Sequence, residues 1–212
     1  MKTKLSVMLT ITTFLTIGTA ASQEAPPSSD AADAETEAPA SSTAATASAP
    51  ANGDIDGEPP ELRKLAGSYT LVGNQADSVA KIEAAVDAAT ADMGALKKKV
   101  ARKRLDKINK AVVRLKISSV QKQVTVGMDN YVVTAPLDGG TADVVTSAGD
   151  KARASFSLQS AALIQDIVAE HGRRENVFRF DSQGQLLMHV RETSPALTAP
   201  VRYTLVYKRA GQ

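Results

Sequence analysis

The chain has 212 residues, of which 4% are aromatic and 23% charged, and its formal net charge at pH 7 is +2. It contains no cysteine and no tryptophan. The lack of cysteine excludes disulfides, thiolate metal sites, thiol catalysis and lipid attachment at a cysteine, so the core alone must stabilise a folded domain.

The first residues have the three parts of a cleavable secretory signal peptide. Lys2 and Lys4 give the positive start, residues 5–17 are mostly apolar, and small residues from 18 to 22 suit a signal peptidase. The apolar stretch is shorter than the about 20 residues that cross a bilayer. We predict a signal peptide at 1–21, no membrane span after its cleavage, and an exported protein, periplasmic or extracellular.

Residues 22–60 are rich in Ala, Ser, Thr, Pro and acidic residues and show no apolar periodicity. Such a segment buries too little surface to offset its ordering entropy, which predicts a disordered linker. Its eight carboxylates and lack of Lys and Arg give a net charge of −8, whereas residues 61–212 carry +8. The near-neutral total therefore conceals an acidic linker joined to one basic domain, 61–212.

The domain starts with a predicted strand at 65–72, followed by two helices. Asn74 is suited to cap the first helix. Its apolar residues recur at steps of three and four: Val79, Ile82, Val86, Ala89 and Met93. The second helix is predicted from 95 to 110. Four of its residues are predicted to face inward: Leu96, Val100, Leu105 and Ile108.

After Ala111 the apolar period changes to two, which is typical of strands with one buried face. Val113, Leu115 and Ile117 alternate with polar residues, and similar alternation recurs towards the C-terminus. Turn signals such as Asp138-Gly139-Gly140 separate the runs about every ten residues, which predicts a meander of eight or nine antiparallel strands.

One strand, a helical pair and then antiparallel strands resemble the calycin superfamily, in its fatty-acid-binding-protein arrangement. Gly67-Ser68-Tyr69 is similar to the calycin opening, and Tyr207-Lys208-Arg209 to the basic end strand. The block from Ser194-Pro195 to Tyr207 is similar to the end of exported bacterial proteins of uncharacterised function. The resemblance implies a mostly β fold, an antiparallel barrel whose mouth is covered by a helix-turn-helix inserted after the first strand. The alternative is a helix-grip α+β fold with an open sheet.

The chain departs from that family at two points. Fatty-acid-binding proteins hold a carboxylate with Arg and Tyr two positions apart on the last strand, whereas Arg202 and Tyr203 are adjacent and point to opposite faces. The lipocalin Gly-x-Trp is absent, since the chain has no tryptophan. Four residues near the end remain candidates to anchor a ligand carboxylate, with solvent-facing charges and core tyrosines as the alternative. They are Arg202, Tyr203, Tyr207 and Arg209.

A barrel of this size encloses a ligand cavity or is filled by its own side chains. Small and apolar residues on the inward positions are the candidate cavity wall, and alternation alone does not separate a hollow barrel from a filled one. They are Leu115, Ile117, Ala154, Phe156, Leu158, Met188 and Leu205.

Nearly all of the domain's excess charge lies on the second helix, whose eight cations face one acid, Asp106. Such a helix suits an anionic membrane surface, an acidic partner, or plain solvation. The eight cations are Lys97, Lys98, Lys99, Arg102, Lys103, Arg104, Lys107 and Lys110.

No catalytic motif is present, and His171 and His189 have no metal-ligand spacing. We expect no enzyme activity, no cofactor and no metal, with hydrolysis as the weakest option, and no nucleic-acid binding, since aromatic residues are scarce. The sequence thus favours a secreted protein that binds a small apolar, lipid-like ligand under a basic helical lid facing an anionic membrane. The alternative is a cell-envelope interaction module with a filled barrel, whose basic helix binds an acidic partner.

Overall fold

A computed structural model describes residues 58–211. The predicted signal peptide at 1–21, and the linker as far as residue 57, lie outside the described residues. The helices are α1 (Pro60–Leu65), α2 (Gln75–Ala89) and α3 (Ala95–Ile108). The strands are β1 (Gly67–Leu71), β2 (Arg114–Val120), β3 (Gln123–Met128), β4 (Tyr131–Pro136), β5 (Ala142–Val145), β6 (Lys151–Gln159), β7 (Ala162–Ala169), β8 (Gly172–Phe180), β9 (Leu186–Thr193) and β10 (Val201–Arg209).

The ten strands form one antiparallel sheet in the order β4-β3-β2-β1-β10-β9-β8-β7-β6-β5. β1 pairs with both β2 and β10, which joins the beginning of the domain to its end. The outer strand β4 packs beside β5 and β6, so the sheet curls into a nearly closed barrel. The predicted calycin-like barrel with a helical pair after the first strand is confirmed, and the open helix-grip sheet is not formed.

The period-two pattern has the expected physical result. On β2, Leu115 and Ile117 are buried while Arg114 and Lys116 are exposed. On β10 the residues Val201, Tyr203, Leu205 and Tyr207 all point into the core. Alternate side chains of a strand point to opposite faces, so the inner face of each strand contributes to one core inside the barrel.

The first helix, α1, packs at the end of the barrel where β1 starts. Pro60 occupies its first turn, where the missing N–H costs nothing, and Leu62 and Leu65 are buried. The sequence predicts a strand from Leu65, but Leu65 ends α1 and β1 starts only at Gly67. A Cβ atom on Gly67 would lie 2.7 Å from Arg209 Nη1, so the glycine makes room for that arginine.

The two helices of the pair pack very differently. α2 is capped by Asn74, whose side chain accepts from the Ala76 N–H at 2.9 Å, and it buries Ile82, Val86 and Ala89. In α3 only Leu105 is buried. The prediction that Leu96 and Val100 face inward is wrong: they are 78% and 65% exposed.

The exposure of these two residues follows from where α3 touches the barrel. Leu105 and Ile108 near its C-terminal end border the barrel interior, whereas the turn that holds Leu96 meets no core. The helix also ends at Ile108 rather than at Lys110.

Candidate functional site

A cavity of about 740 Å³ lies at the end of the barrel that α3 covers. Its wall is built from the C-terminal half of α3 and from the turns β3–β4, β5–β6, β7–β8 and β9–β10. All these turns lie at one end because the strands alternate in direction. The opposite end is the one that α1 and Arg209 occupy.

The seven residues predicted to line a cavity lie in the barrel core instead of on this wall. Six are buried, and Leu158 is partly buried and packed against them. None borders the 740 Å³ cavity, which lies nearer the end of the barrel. Ligand contact by these seven residues stays a prediction.

The apolar part of the cavity wall comes from both the helix and the strands. Leu105 and Ile108 of α3 face Met128 at the end of β3 and Ile167 on β7. Leu197, in the loop between β9 and β10, adds to it. These side chains give the cavity a surface that favours an apolar molecule over water.

The floor of the cavity is polar and centres on Arg174 of β8. Its Nη2 donates to the Tyr203 hydroxyl at 3.0 Å, and its Nε donates to Asn176 Oδ1 at 3.1 Å. Its Nη1 donates to Asn109 Oδ1 at 3.0 Å and to the Ile108 carbonyl at 3.3 Å. The guanidinium is thus fixed in place by strands and helix together.

Asn109 and Glu192 complete this cluster. Asn109 Nδ2 donates to Glu192 Oε2 at 2.9 Å, and the same carboxylate oxygen lies 3.8 Å from Arg174 Nη1. Tyr203 donates its hydroxyl proton to Asn109 Oδ1 at 3.1 Å. Burial raises the pKa of Tyr203, and the charge of Arg174 opposes that rise. Tyr203 therefore stays a neutral donor at physiological pH.

Two buried polar groups in this part of the barrel have no hydrogen-bond partner among the described residues: the Tyr131 hydroxyl and Gln165 Nε2. Tyr131 borders the cavity. Burial raises its pKa, and the charge of Arg174 opposes the rise. An unpaired buried hydroxyl is costly, so Tyr131 offers a donor for an oxygen brought by a ligand.

The four residues predicted to anchor a ligand carboxylate do not lie together in the structure. Tyr203 accepts a hydrogen bond from Arg174, which borders the cavity, but Arg202 is exposed on the outer face of β10. Tyr207 is buried and donates to the Val112 carbonyl at 3.0 Å. Arg209 donates to the carbonyls of Ala66 and Lys64 at the far end of the barrel. The structure thus pairs Tyr203 with an arginine of another strand.

The eight predicted surface cations lie on α3 or directly after it. Two of them, Arg104 and Lys110, also border the cavity. Arg102 is bound to Asp87 of α2, and Arg104 to Asp150 at 3.0 Å. Lys97, Lys99, Lys103 and Lys107 are exposed.

The ionisable groups around the cavity balance in charge. Four cations (Arg104, Lys110, Arg173 and Arg174) stand against four anions (Asp129, Asp150, Glu170 and Glu192). The cavity wall therefore carries no net formal charge when His171 is neutral. Within residues 58–211, no group of three or more His, Asp or Glu side chains could hold a metal ion.

Sequence reasoning missed Arg174 and Asn109. A signal for Arg174 was present: Phe178 and Phe180 alternate on β8, and two further steps back place Asn176 and Arg174 on the same face. Because Arg173 and Glu175 are also charged, apolar and polar residues do not alternate in this part of β8, and the pattern could not be recognised. Asn109 carried no pattern, because its role depends on where α3 ends against the barrel.

No protein-family model matches the sequence, and no curated protein matches it. Several solved structures have a similar fold. The REP1-NXSQ fatty acid transporter is 18% identical, with 71% of this chain and 98% of that chain covered and a TM-score of 0.44. Echinococcus granulosus fatty-acid-binding protein 1 is 9% identical, with 70% of this chain and 99% of that chain covered and a TM-score of 0.43. Human cRBP IV is 14% identical, with 69% of this chain and 98% of that chain covered and a TM-score of 0.42. The predicted barrel is confirmed by this chain's own strand order and by the helical pair after its first strand.

No helix within residues 58–211 is both long enough and apolar enough to cross a bilayer.

Proposed function

We propose that the domain binds a small, mostly apolar molecule with an oxygen acceptor at one end, in the cavity beneath α3. The single observation that carries this proposal is the cavity itself, about 740 Å³ with an apolar wall and a polar floor. That volume falls in the range of roughly 300 to 1,000 Å³ typical of ligand sites.

The floor supplies the recognition of the polar end. Tyr131 has an unpaired hydroxyl, and Arg174 uses four of its five N–H donors on the described residues. The Tyr131 hydroxyl and one Arg174 N–H are thus two neighbouring donors that can bind an acceptor oxygen. A fatty acid or a similar amphiphile has the required chemistry, with its chain against Leu105, Ile108 and Met128.

The first test is native mass spectrometry of the protein purified without detergent, followed by titration of the lipid-free protein with dodecanoate. We expect a co-purifying mass that extracts into organic solvent, and saturable dodecanoate binding at one site. A clean mass without uptake would contradict the proposal. It would favour the filled-barrel module that binds an acidic partner.

Matched variants locate the site within that titration. Tyr131→Phe should weaken dodecanoate binding about three- to tenfold, the effect of one hydrogen bond. Arg202→Gln is the control, because Arg202 lies on the outer face and should leave the affinity unchanged. Equal effects of the two substitutions would contradict a headgroup site at Tyr131.

We further propose that α3 faces an anionic membrane. Leu96 and Val100 are one helical turn apart and exposed, with Lys99, Lys103 and Lys107 beside them on the outer side of the helix. Apolar side chains that enter a headgroup region, flanked by lysines, favour surface binding, and each lysine adds about 1 kcal/mol. A ligand could then pass between the bilayer and the cavity directly below α3.

Vesicle sedimentation tests this orientation. Lys99, Lys103 and Lys107 changed to Gln should abolish most binding to phosphatidylglycerol vesicles, and Leu96→Ser with Val100→Ser should weaken it further. The control removes the same charge elsewhere, at Lys116, Lys122 and Lys208, which are also exposed. Similar losses in both triple variants would mean that net charge alone acts, and α3 would have no special role.

Export stays part of the proposal. The supporting observation is the signal-peptide pattern at 1–21, which lies outside the described residues. N-terminal sequencing of the protein from its native compartment should show cleavage near residue 21. A retained N-terminus in the cytoplasm would contradict export.

A further inference from the structure

Helix α3 has few contacts that hold it over the cavity. Leu105 is its one buried residue. Gly94 at its N-terminus provides no side-chain cap, and Lys97 occupies the first turn without an acidic residue there. Positive charge at the N-terminal end of a helix opposes its dipole. The N-terminal half of α3 is therefore weakly stabilised, and the helix depends on its other end.

The C-terminal end of α3 is held by the polar floor of the cavity. Arg174 donates to the carbonyl of Ile108 and to Asn109 Oδ1. Asn109 in turn donates from Nδ2 to Leu105 O at 3.2 Å and to Glu192 Oε2. The last carbonyls of a helix lack partners within it, and a cation there complements the dipole. Arg174 satisfies both needs.

We propose that Arg174 couples occupancy of the cavity to α3: it holds the C-terminal end of the helix while the cavity is empty and releases it when a carboxylate binds. The inference rests on the proposed ligand site. A two-pronged carboxylate contact needs two N–H groups of the guanidinium. Only one N–H is uncommitted among the described residues, so a carboxylate that binds the guanidinium with both of its oxygens replaces an existing bond.

The bond to Ile108 is the one most open to replacement. At 3.3 Å it is the longest of the four, and Ile108 itself borders the cavity. Its loss leaves a carbonyl at the end of α3 without its partner and loosens the last turn. A neutral alcohol needs only one donor, so it uses the remaining N–H or Tyr131 and leaves α3 in place. The coupling thus distinguishes a carboxylate from an alcohol of equal chain length.

Hydrogen exchange tests the coupling in the mature protein, purified after processing in the cell and freed of lipid. Bound dodecanoate should speed exchange of the backbone amides at 101–109 roughly tenfold, as expected for the loss of one or two hydrogen bonds. Dodecanol at saturation should leave these amides unchanged. Dodecanoate that binds yet leaves them unchanged or slows them would overturn the coupling.

Two variants separate this inference from the proposed function. Asn109→Ala should speed exchange of α3 in the empty protein and abolish any further effect of dodecanoate. Arg102→Gln removes a contact of α3 with Asp87 of α2, away from the cavity wall, and should preserve the dodecanoate response. Slow exchange of α3 in empty Asn109→Ala protein, with the strands as protected as in the unchanged protein, would overturn the coupling.

Calorimetric titration is run on the same samples. A failure of dodecanoate to bind would overturn the proposed function, and the coupling with it. Normal binding without a change in α3 would overturn the coupling alone.

Discussion

Tyr207 and Tyr131 differ in whether their hydroxyl groups make a hydrogen bond. Tyr207 donates to a buried carbonyl, that of Val112, whereas the Tyr131 hydroxyl has no partner among the described residues. Tyr207→Phe should lower the free energy of unfolding by about 1 to 2 kcal/mol, because it strands the carbonyl. Tyr131→Phe should leave it unchanged or raise it. Urea unfolding measures both, and equal losses would contradict this assignment.

The turn between β6 and β7 gives a second prediction for single residues. Ser160 and Ala161 both have positive φ, 48° and 63°, a conformation that costs roughly 1 kcal/mol or more for such residues. Asn-Gly is the preferred pair for a two-residue hairpin of this kind. Ser160→Asn with Ala161→Gly should raise the unfolding free energy by about 1 kcal/mol. Ala162→Gly, one position later in the strand, should lower it; a rise there would contradict the argument.

At the scale of elements, the two long helices differ in their N-terminal caps. Asn74 bonds to the first turn of α2, and Gly94 provides no such bond for α3. Asn74→Ala should destabilise the domain by about 1 kcal/mol. Gly94→Asp should stabilise α3 by about 0.5 kcal/mol, since a carboxylate suits the lysine-rich first turn, and the space around Gly94 is open. Exchange of α3 amides and urea unfolding report the two effects, and no slowing in Gly94→Asp protein would count against a weak N-terminal half.

The strands and α2 could be predicted because each follows a local rule. Period-two alternation located β2 and β10, and Asn74 with a three-four repeat located α2. The turns Gln121-Lys122 and Ser160-Ala161 could not be read, because these residue types rarely adopt the positive φ that they have here.

The site was harder to predict than the fold because it joins distant residues. Arg174 meets Asn109 and Tyr203 only after β8, α3 and β10 have come together. Arg202 and Tyr203 are adjacent instead of two positions apart as in the family pattern, and they lie on opposite faces of β10 as alternation predicts. The exposure of Leu96, by contrast, follows from helix geometry: it lies nine residues, or about two and a half turns, before the buried Leu105 and therefore on the opposite side of α3.

The barrel formed by the described residues has a closed end and an open end. At the closed end, Arg209 lies 5.3 Å from the ring centroid of Tyr69 and bonds to the chain that enters from α1. At the open end, the cavity and its polar floor lie beneath the weakly held α3. The strands and α1 therefore bury more of their apolar side chains than α3 does.

At alkaline pH the domain should lose stability, because burial makes its four tyrosines ionise less readily in the folded than in the unfolded state. Burial is the leading cause that raises the pKa of each of them: Tyr69, Tyr131, Tyr203 and Tyr207. The unfolded chain loses these protons near pH 10, before the folded one does. Their contribution to stability is therefore complete below about pH 10. It is lost as pH rises from there through the folded-state values, with a slope of up to about 1.4 kcal/mol per pH unit for each tyrosine.

Because the chain has no tryptophan, phenolate absorbance can follow the tyrosines directly. We expect phenolate to appear together with the loss of β-sheet circular dichroism, in one cooperative step above pH 10. Tyr207→Phe should make that step less steep, since it removes one of the four linked protons. Phenolate that forms with the sheet intact would show that the tyrosines reach solvent in the folded state, and the barrel interior would be more open than its packing indicates.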